Sequence, residues 1–105
     1  TEGTIMCQTY HPGSRDPRVA DFTKKFNARY GRNPDPNAAQ TYDAVMILGA
    51  AIEKAGLDRK LVRDALAATK GYAGVTGTMS FDATGDSPRD MMVIRISGGA
   101  YTIFE

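Results

Sequence analysis

The chain has 105 residues, which suits one modest domain or a piece of a larger one. Its 13 basic and 12 acidic residues nearly cancel, and the net charge of +1 argues against a general nucleic-acid binder and against an acidic tail. With 42% apolar and 24% charged residues, the composition indicates an ordered globular protein. The longest apolar run, nine residues from Ala44 to Ile52, is too short for a membrane-spanning helix of about 20 residues.

The first two predicted elements are a strand and a helix. Residues 4–10 are rich in β-branched and aromatic side chains, which predicts a strand. Pro17 can occupy the first position of a helix, Asp16 can cap it, and Gly31 can end it. Steps of three and four residues place one apolar stripe along this helix, formed by Val19, Phe22, Phe26 and Tyr30.

The second predicted helix is the most apolar element of the chain. It runs from Ala38 to Ala55, with Asn37 as its N-cap and Gly56 directly after its last turn. Apolar side chains lie on most sides of this helix, so we expect it to be buried between other elements.

A third helix and several short strands complete the predicted elements. Asp58 caps a helix from Arg59 to Thr69, whose expected buried face consists of Leu61, Val62, Ala65 and Leu66. The alternation of apolar and small polar residues predicts a half-buried strand over residues 75–81. Two further strands, at residues 91–96 and 101–104, flank a tight Gly-Gly turn.

The residues that could carry chemistry form no catalytic or metal-binding pattern. Asp82, Asp86 and Asp90 lack the spacing of a calcium loop, and the stretch from Asp82 to Asp86 is more typical of a turn. The single cysteine, Cys7, excludes an internal disulfide and a multi-cysteine zinc site, and its mid-strand position predicts a small buried side chain. The single histidine, His11, precedes a proline in a loop. We therefore expect no catalytic activity, no metal and no cofactor.

The order of the elements leaves the second helix without a sheet to cover it. One strand, three helices and then further strands supply too few central strands for that purpose, and the chain starts almost directly on a strand. We therefore expect these residues to complete one or two larger α/β layers of a longer protein.

Several short motifs occur in an order that resembles one family. These motifs are Tyr42–Val45, Ala51–Gly56, Leu61–Leu66, Gly74–Gly77 and Phe81–Asp86, followed by a strand and a Gly-Gly hairpin. Their order resembles the C-terminal third of the type I periplasmic solute-binding proteins of ABC transporters, in the branched-chain amino acid (Leu/Ile/Val) receptor group. Nearly the whole chain takes part in the resemblance.

The resemblance implies an α/β fold in which two lobes, joined by three crossing strands, hold a ligand in the cleft between them. It places residues 1–10 and 91–105 in the second lobe as strands, and residues 13–86 in the first lobe as three helices and a strand. Crossings between the lobes are expected at residues 10–12 and 87–90. The strands at the two ends of the chain should then pair in one layer, away from the predicted strand of the first lobe.

The same resemblance suggests where a ligand binds. In the branched-chain amino acid receptors, the start of the second helix faces the cleft and usually offers an aromatic side chain. Here Asn37 holds that position, with Ala38 beside it and Gln40 one turn further on. Asparagine offers a donor and an acceptor in place of an apolar wall, so a specificity for aliphatic amino acids is open. Asn37 as an N-cap alone is the alternative, and both roles can coexist; Tyr42 and Asp43 are expected to pack and bond within the lobe.

For function, the resemblance implies binding without chemistry. The expected protein is a periplasmic, extracytoplasmic solute-binding component of an ABC transporter. It binds an amino acid or a related small organic solute and delivers it to permease subunits in the membrane, with no nucleic-acid partner. The alternatives are a small self-associating interaction domain, a sensor domain of the same fold without a transport role, and an enzyme piece whose catalytic groups lie upstream.

Overall fold

Three helices and five short strands make up the computed structural model, which describes residues 1–104. In chain order they are β1 (Ile5–Gln8), α1 (Pro17–Tyr30), α2 (Pro36–Ala55), α3 (Arg59–Ala67), β2 (Tyr72–Gly74), β3 (Gly77–Met79), β4 (Met92–Ser97) and β5 (Ala100–Ile103). Glu105, the last residue of the predicted second-lobe segment, lies outside the described residues. None of the helices within residues 1–104 combines the length and the apolar character that a membrane crossing requires.

The first helix begins and ends where local chemistry predicts. Asp16 has an extended backbone and accepts a hydrogen bond from the backbone N–H of Arg18 at 2.9 Å, and Pro17 takes the first helical position. Gly31 follows the helix in the left-handed conformation, with a φ of 69°, and its N–H donates to the carbonyl oxygen of Asn27. The predicted bounds of α1 are therefore confirmed.

The second helix begins two residues earlier than predicted. The carboxylate of Asp35 accepts a hydrogen bond from the backbone N–H of Ala38 at 2.8 Å, so Asp35 is the N-cap. Pro36 occupies the first helical position, where its missing N–H leaves no donor unpaired. Asn37 therefore lies within the first turn of α2, and its prediction as the N-cap is wrong. The predicted end of the helix before Gly56 is confirmed.

The two candidate caps of α2 can be separated by substitution. Asp35→Ala should lower the free energy of unfolding by about 1 kcal/mol, because the N–H of Ala38 loses its acceptor. Asn37→Ala should change it by less than about 0.5 kcal/mol, since the asparagine is exposed. Urea unfolding followed by circular dichroism measures both variants, and equal losses would contradict the assignment of Asp35 as the cap.

The third helix is capped as predicted but is less buried than predicted. Asp58 accepts a hydrogen bond from the N–H of Leu61 at 2.9 Å, and α3 ends at Ala67 rather than at Thr69. The expected buried face is wrong: no residue of α3 is buried, and 51% of Leu61 is exposed. The reason is that α3 packs against α2, while no second layer covers its apolar side within residues 1–104.

The strands near the two ends of the chain pair in one antiparallel sheet. β4 lies in the middle, between β1 and β5, with Cys7 opposite Val93 and Ile94 opposite Ile103. This pairing is the arrangement expected from the sequence, and the predicted turn at residues 98–99 is also found. The predicted burial of Cys7 is wrong, because one face of this sheet is uncovered and the thiol is exposed there.

The predicted strand at residues 75–81 is instead part of a short hairpin. β2 and β3 pair antiparallel in a separate two-stranded sheet, and Val75 and Thr76 form the turn between them. Gly74 and Gly77 flank this turn, and Gly77 has a φ of 110°, which other residues rarely adopt. The chain reverses direction at Val75 and Thr76, so the alternating sequence pattern does not predict this turn.

The buried core is small and the molecule is elongated. The core cluster joins the segment after β1 to the helices and the hairpin turn, and consists of Tyr10, Val19, Phe22, Ala39 and Val75. The radius of gyration is 15.8 Å, against about 13 Å for a compact domain of this length. The predicted burial of α2 on most sides is wrong within residues 1–104, where Val45, Met46 and Leu48 are exposed. The reason is the lack of a covering sheet, which the sequence also predicts.

Candidate functional site

The segment that leaves β1 passes the start of α2 on its way from the sheet to the helices. Tyr10 is fully buried against α1, and its hydroxyl lies 2.8 Å from the hydroxyl of Thr23. Gln40 of α2 donates a hydrogen bond from Nε2 to the hydroxyl of Thr9 at 3.3 Å. These contacts place the first turns of α2 beside one of the two segments that join the three-stranded sheet to the rest of the fold.

His11 ties the same segment to β5. The N–H of Gly13 donates to Nδ1 of His11 at 2.9 Å, so Nδ1 carries no proton in this arrangement and Nε2 does. Nε2 therefore donates to the carbonyl oxygen of Tyr101, which lies 3.0 Å away. The histidine sits in a loop as predicted, and it bridges the segment to the edge strand of the sheet.

An open groove of about 690 Å³ lies between α1 and the first turns of α2. Asn37 and Ala38 both line it, whereas Gln40 lies outside it. On the α1 side, Lys25 pairs with Asp21 at 2.8 Å, and this hydrogen bond raises the pKa of Lys25. The structure thus brings two of the three predicted site residues together, and it places the third beside the segment that follows β1.

Aromatic rings form much of the wall of this groove. The ring centroids of Phe22 and Tyr42 lie 4.7 Å apart, and those of Phe26 and Tyr30 lie 4.6 Å apart. The guanidinium of Arg29 lies 5.8 Å from the centroid of the Tyr30 ring. An aromatic groove edged by cations can hold an apolar body next to an acid group, and it is equally typical of a surface that another part of a protein covers.

A buried carboxylate lies one turn beyond Gln40 along α2. Asp43 is only 2% exposed, and its oxygens accept three hydrogen bonds from the turn of the β2–β3 hairpin. The donors are the N–H of Val75 at 2.9 Å, the N–H of Thr76 at 2.9 Å and the hydroxyl of Thr76 at 2.6 Å. The predicted internal bonding of Asp43 is confirmed, but the sequence did not identify its partners.

The burial of the hairpin turn explains why a carboxylate is needed there. Turns usually lie at the surface, where water pairs their N–H groups, but Val75 and Thr76 are both buried. Their N–H groups must therefore find an acceptor within the protein, and a charged acceptor makes the stronger bonds. Space is also tight, because a Cβ added at Gly74 would lie 2.5 Å from Oδ2 of Asp43.

The loop after β3 uses its own donors to satisfy a carboxylate. Asp82 accepts hydrogen bonds from the N–H groups of Thr84 and Asp86, each at 2.9 Å, and from the hydroxyl of Thr84 at 2.8 Å. These bonds lower the pKa of Asp82, and the bond from the Thr84 hydroxyl contributes most. The predicted turn is therefore confirmed.

Among residues 1–104, no three His, Cys, Asp or Glu side chains come together as metal ligands.

Comparison with known proteins identifies the family of this chain. The family model described as periplasmic binding protein matches residues 1–100. Because the match covers almost the whole chain, the chain belongs to the periplasmic binding protein family. Members of this family are extracytoplasmic proteins that bind solutes.

Solved structures of ABC transporter proteins share this fold. A protein from Rhodospirillum rubrum, described as a branched-chain amino acid ABC transporter, is 37% identical, with a TM-score of 0.81 over 98% of this chain and 31% of that chain. A substrate-binding protein from Desulfitobacterium hafniense in complex with Leu is 30% identical, with a TM-score of 0.91 over 98% of this chain and 31% of that chain. A solute-binding protein from R. palustris in complex with benzoate is 26% identical, with a TM-score of 0.85 over 97% of this chain and 29% of that chain.

This chain therefore spans about 31% of the length of the first two of these proteins. It has the fold of a part of a two-lobed type I periplasmic binding protein, as the resemblance implied.

Proposed function

We propose that this chain is the C-terminal portion of the solute-binding component of an ABC transporter. In this role it works in the periplasm, where it binds an amino acid or a similar small organic solute between two lobes and delivers it to permease subunits in the membrane. The observation that carries the proposal is the family match over residues 1–100. Similarity to a leucine-bound substrate-binding protein over 98% of this chain supports it.

The proposed division between two lobes draws support from the two separate sheets. Residues 1–10 and those from 91 onward supply second-lobe strands, and residues 13–86 belong to the first lobe. β1 pairs with β4 and not with the β2–β3 hairpin, which is the pairing such a division requires. The elongated shape, with extents of 50 × 32 × 21 Å, also favours two parts over one compact body.

The mechanism in this proposal is a shift between open and closed arrangements. A solute that contacts both lobes binds more tightly when the lobes are closed, so binding raises the closed population. Residues 10–12 and 87–90, which run between the two parts, absorb the change in backbone angles. The permease subunits then recognise the closed form.

Chemistry at the start of α2 favours a solute that combines an apolar body with a polar group. Asn37 is exposed at the groove and offers both a donor and an acceptor, while Ala38 beside it leaves room. Gln40 approaches the solute from the side of the segment after β1, where it already contacts Thr9. Leu and benzoate, which the solved relatives hold, are both carboxylic acids with an apolar body.

Self-association without a transport role is the second candidate, and exposed apolar side chains on α2 favour it. Val45 is 62% exposed, and Met46 and Leu48 are exposed beside it. An apolar surface of this kind can bury itself against a second copy. Sedimentation that shows a monomer at all concentrations would argue against this candidate, whereas a dimer abolished by Val45→Lys would support it.

Titration calorimetry of the receptor that contains these residues tests the transport proposal, with leucine, isoleucine and benzoate as probes. At least one probe should bind with measurable heat. Asn37→Ala should then weaken its affinity by about tenfold, because one hydrogen bond to the solute is lost. Asn27→Ala is the matched control, since Asn27 is exposed on α1 outside the groove and should leave the affinity unchanged.

Absence of heat with all three probes would contradict the proposed class of solute. An unchanged affinity in Asn37→Ala would remove this residue from the site while leaving the receptor assignment intact.

A further inference from the structure

We propose that Asp43, Thr76 and Arg89 form a hydrogen-bonded latch that fixes the segment leading into β4. Through this segment, the latch sets the resting orientation of the three-stranded sheet relative to the helices. Arg89 donates from Nη1 to the hydroxyl oxygen of Thr76, and this hydroxyl donates to Oδ2 of Asp43 at 2.6 Å. The three residues come from α2, the hairpin turn and the segment before β4, so the chain of bonds crosses three separate parts of the fold.

The direction of these bonds is fixed by the chemistry of the three groups. A guanidinium can only donate and an ionised carboxylate can only accept. The hydroxyl of Thr76 has a single proton, so it must give that proton to Asp43 and accept from Arg89. Each bond strengthens the next, because a hydroxyl that accepts from a cation becomes a better donor. The hydroxyl is almost completely buried, with Thr76 1% exposed, so water cannot readily replace either partner.

The latch can act on the three-stranded sheet because Arg89 lies close to β4 along the chain. Arg89 stands three residues before Met92, where β4 begins, and β4 is the central strand of the three-stranded sheet. A fixed guanidinium therefore limits where β4 can start. The two neighbours of β4 must move with it, because both are hydrogen-bonded to it.

The same stretch of α2 also holds the other connection between the sheet and the helices. Gln40 lies one helical turn before Asp43, on the same side of α2, and donates to Thr9 directly after β1. Both connections are therefore anchored on residues 40–43. A displacement of residues 40–43 would therefore move both connections together.

The segment that the latch holds also contains an unfavourably placed hydroxyl. Ser87 Oγ is buried and has no hydrogen-bond partner within residues 1–104. A buried hydroxyl without a partner is unfavourable, so a movement that pairs or exposes it would remove part of that cost. The latch opposes this movement in the resting state.

Distances between the sheet and α2 test the latch in the chain itself. Cys7 is the single cysteine and is exposed on β1, so it takes a spin label without further change, and Glu53→Cys supplies an exposed second site on α2. Double electron–electron resonance then gives the distribution of distances between the two labels. We expect Arg89→Met to broaden this distribution by about twofold relative to the doubly labelled chain that keeps Arg89. The methionine resembles the aliphatic part of arginine in length but cannot donate a hydrogen bond.

Variants of Thr76 separate the latch from simple packing. Thr76→Val keeps the shape and removes the hydroxyl, so it should broaden the distribution as Arg89→Met does. Thr76→Ser keeps the hydroxyl and should restore the narrow distribution of the parent chain. If Thr76→Val fails to fold, Arg89→Met still decides the outcome, because it leaves all three bonds of Asp43 intact. A folded Arg89→Met chain with an unchanged distribution would overturn the latch.

The latch does not depend on a solute, whereas its effect on lobe closure rests on the proposed function. The two can fail separately. An unchanged distance distribution in Arg89→Met, together with intact solute binding, would overturn the latch alone. An intact distance effect in a receptor that binds none of leucine, isoleucine and benzoate would count against the proposed function alone.

Discussion

Replacing Asp43 with asparagine should lower the free energy of unfolding by about 3 kcal/mol, the largest effect that we expect from a single polar change. The carboxylate accepts from two N–H groups and one hydroxyl in a buried turn. An amide keeps the shape of the side chain but turns one of its two acceptors into a donor, which then faces other donors. Urea unfolding at neutral pH measures the loss.

The matched control for Asp43 is a carboxylate that lies on the surface. Asp21 pairs with Lys25 at 2.8 Å, but its side chain is 61% exposed, so Asp21→Asn should cost less than about 0.5 kcal/mol. A loss below about 1 kcal/mol in Asp43→Asn would mean that water or another acceptor satisfies the N–H groups of the hairpin turn, contrary to the structure.

Replacing Tyr10 with alanine should lower the free energy of unfolding by about 3 to 5 kcal/mol. Tyr10 is fully buried and packs edge-to-face on Phe22 at a centroid distance of 6.0 Å, so its removal leaves a cavity in a small core. Tyr10→Phe keeps the ring and should cost only about 1 kcal/mol, the worth of the hydrogen bond with Thr23. Similar losses for the two variants would contradict the packing role of the ring.

The same residue should make the protein sensitive to alkali. Burial raises the pKa of Tyr10, although the hydrogen bond with Thr23 opposes this shift. A group whose pKa is raised in the folded state contributes stability that is complete below its unfolded pKa of about 10 and is lost as the pH rises through the folded value. Tyr10→Phe should therefore flatten the fall in stability above about pH 10. Tyr30→Phe, which changes an exposed ring, should not, and equal slopes for both variants would contradict this account.

The elements that the sequence predicts correctly are those fixed by neighbouring residues. Asp16 with Pro17 starts α1 and Gly31 ends it, because a cap, a missing N–H and a left-handed glycine act within one turn. The Asp82 turn follows from the same kind of local bonding. The fold class also came from the order of the motifs, since that order is a property of the sequence.

The errors arise where two local signals compete or where burial depends on distant parts. Asn37 and Asp35 are both good caps, and the proline between them decides for Asp35 because it suits the first helical position. Cys7 and Leu61 are exposed because no other layer covers them within residues 1–104. No local pattern reports the presence or absence of a covering layer.

The candidate site shows the same limit. Asn37 and Ala38 share the groove because they are neighbours on one helix, so their proximity follows from the sequence. The bonds of Asp43 to Thr76 and of Thr76 to Arg89 join residues 33 and 13 positions apart. Such contacts depend on the tertiary fold, and only the structure reveals them.

We propose that these residues belong to a receptor whose two lobes close on a solute. Small-angle X-ray scattering of that receptor, with and without a saturating solute found by titration, is the decisive experiment for lobe closure. The radius of gyration should fall on saturation, because the closed arrangement is more compact. A radius that stays the same while calorimetry shows the site to be full would contradict this closure.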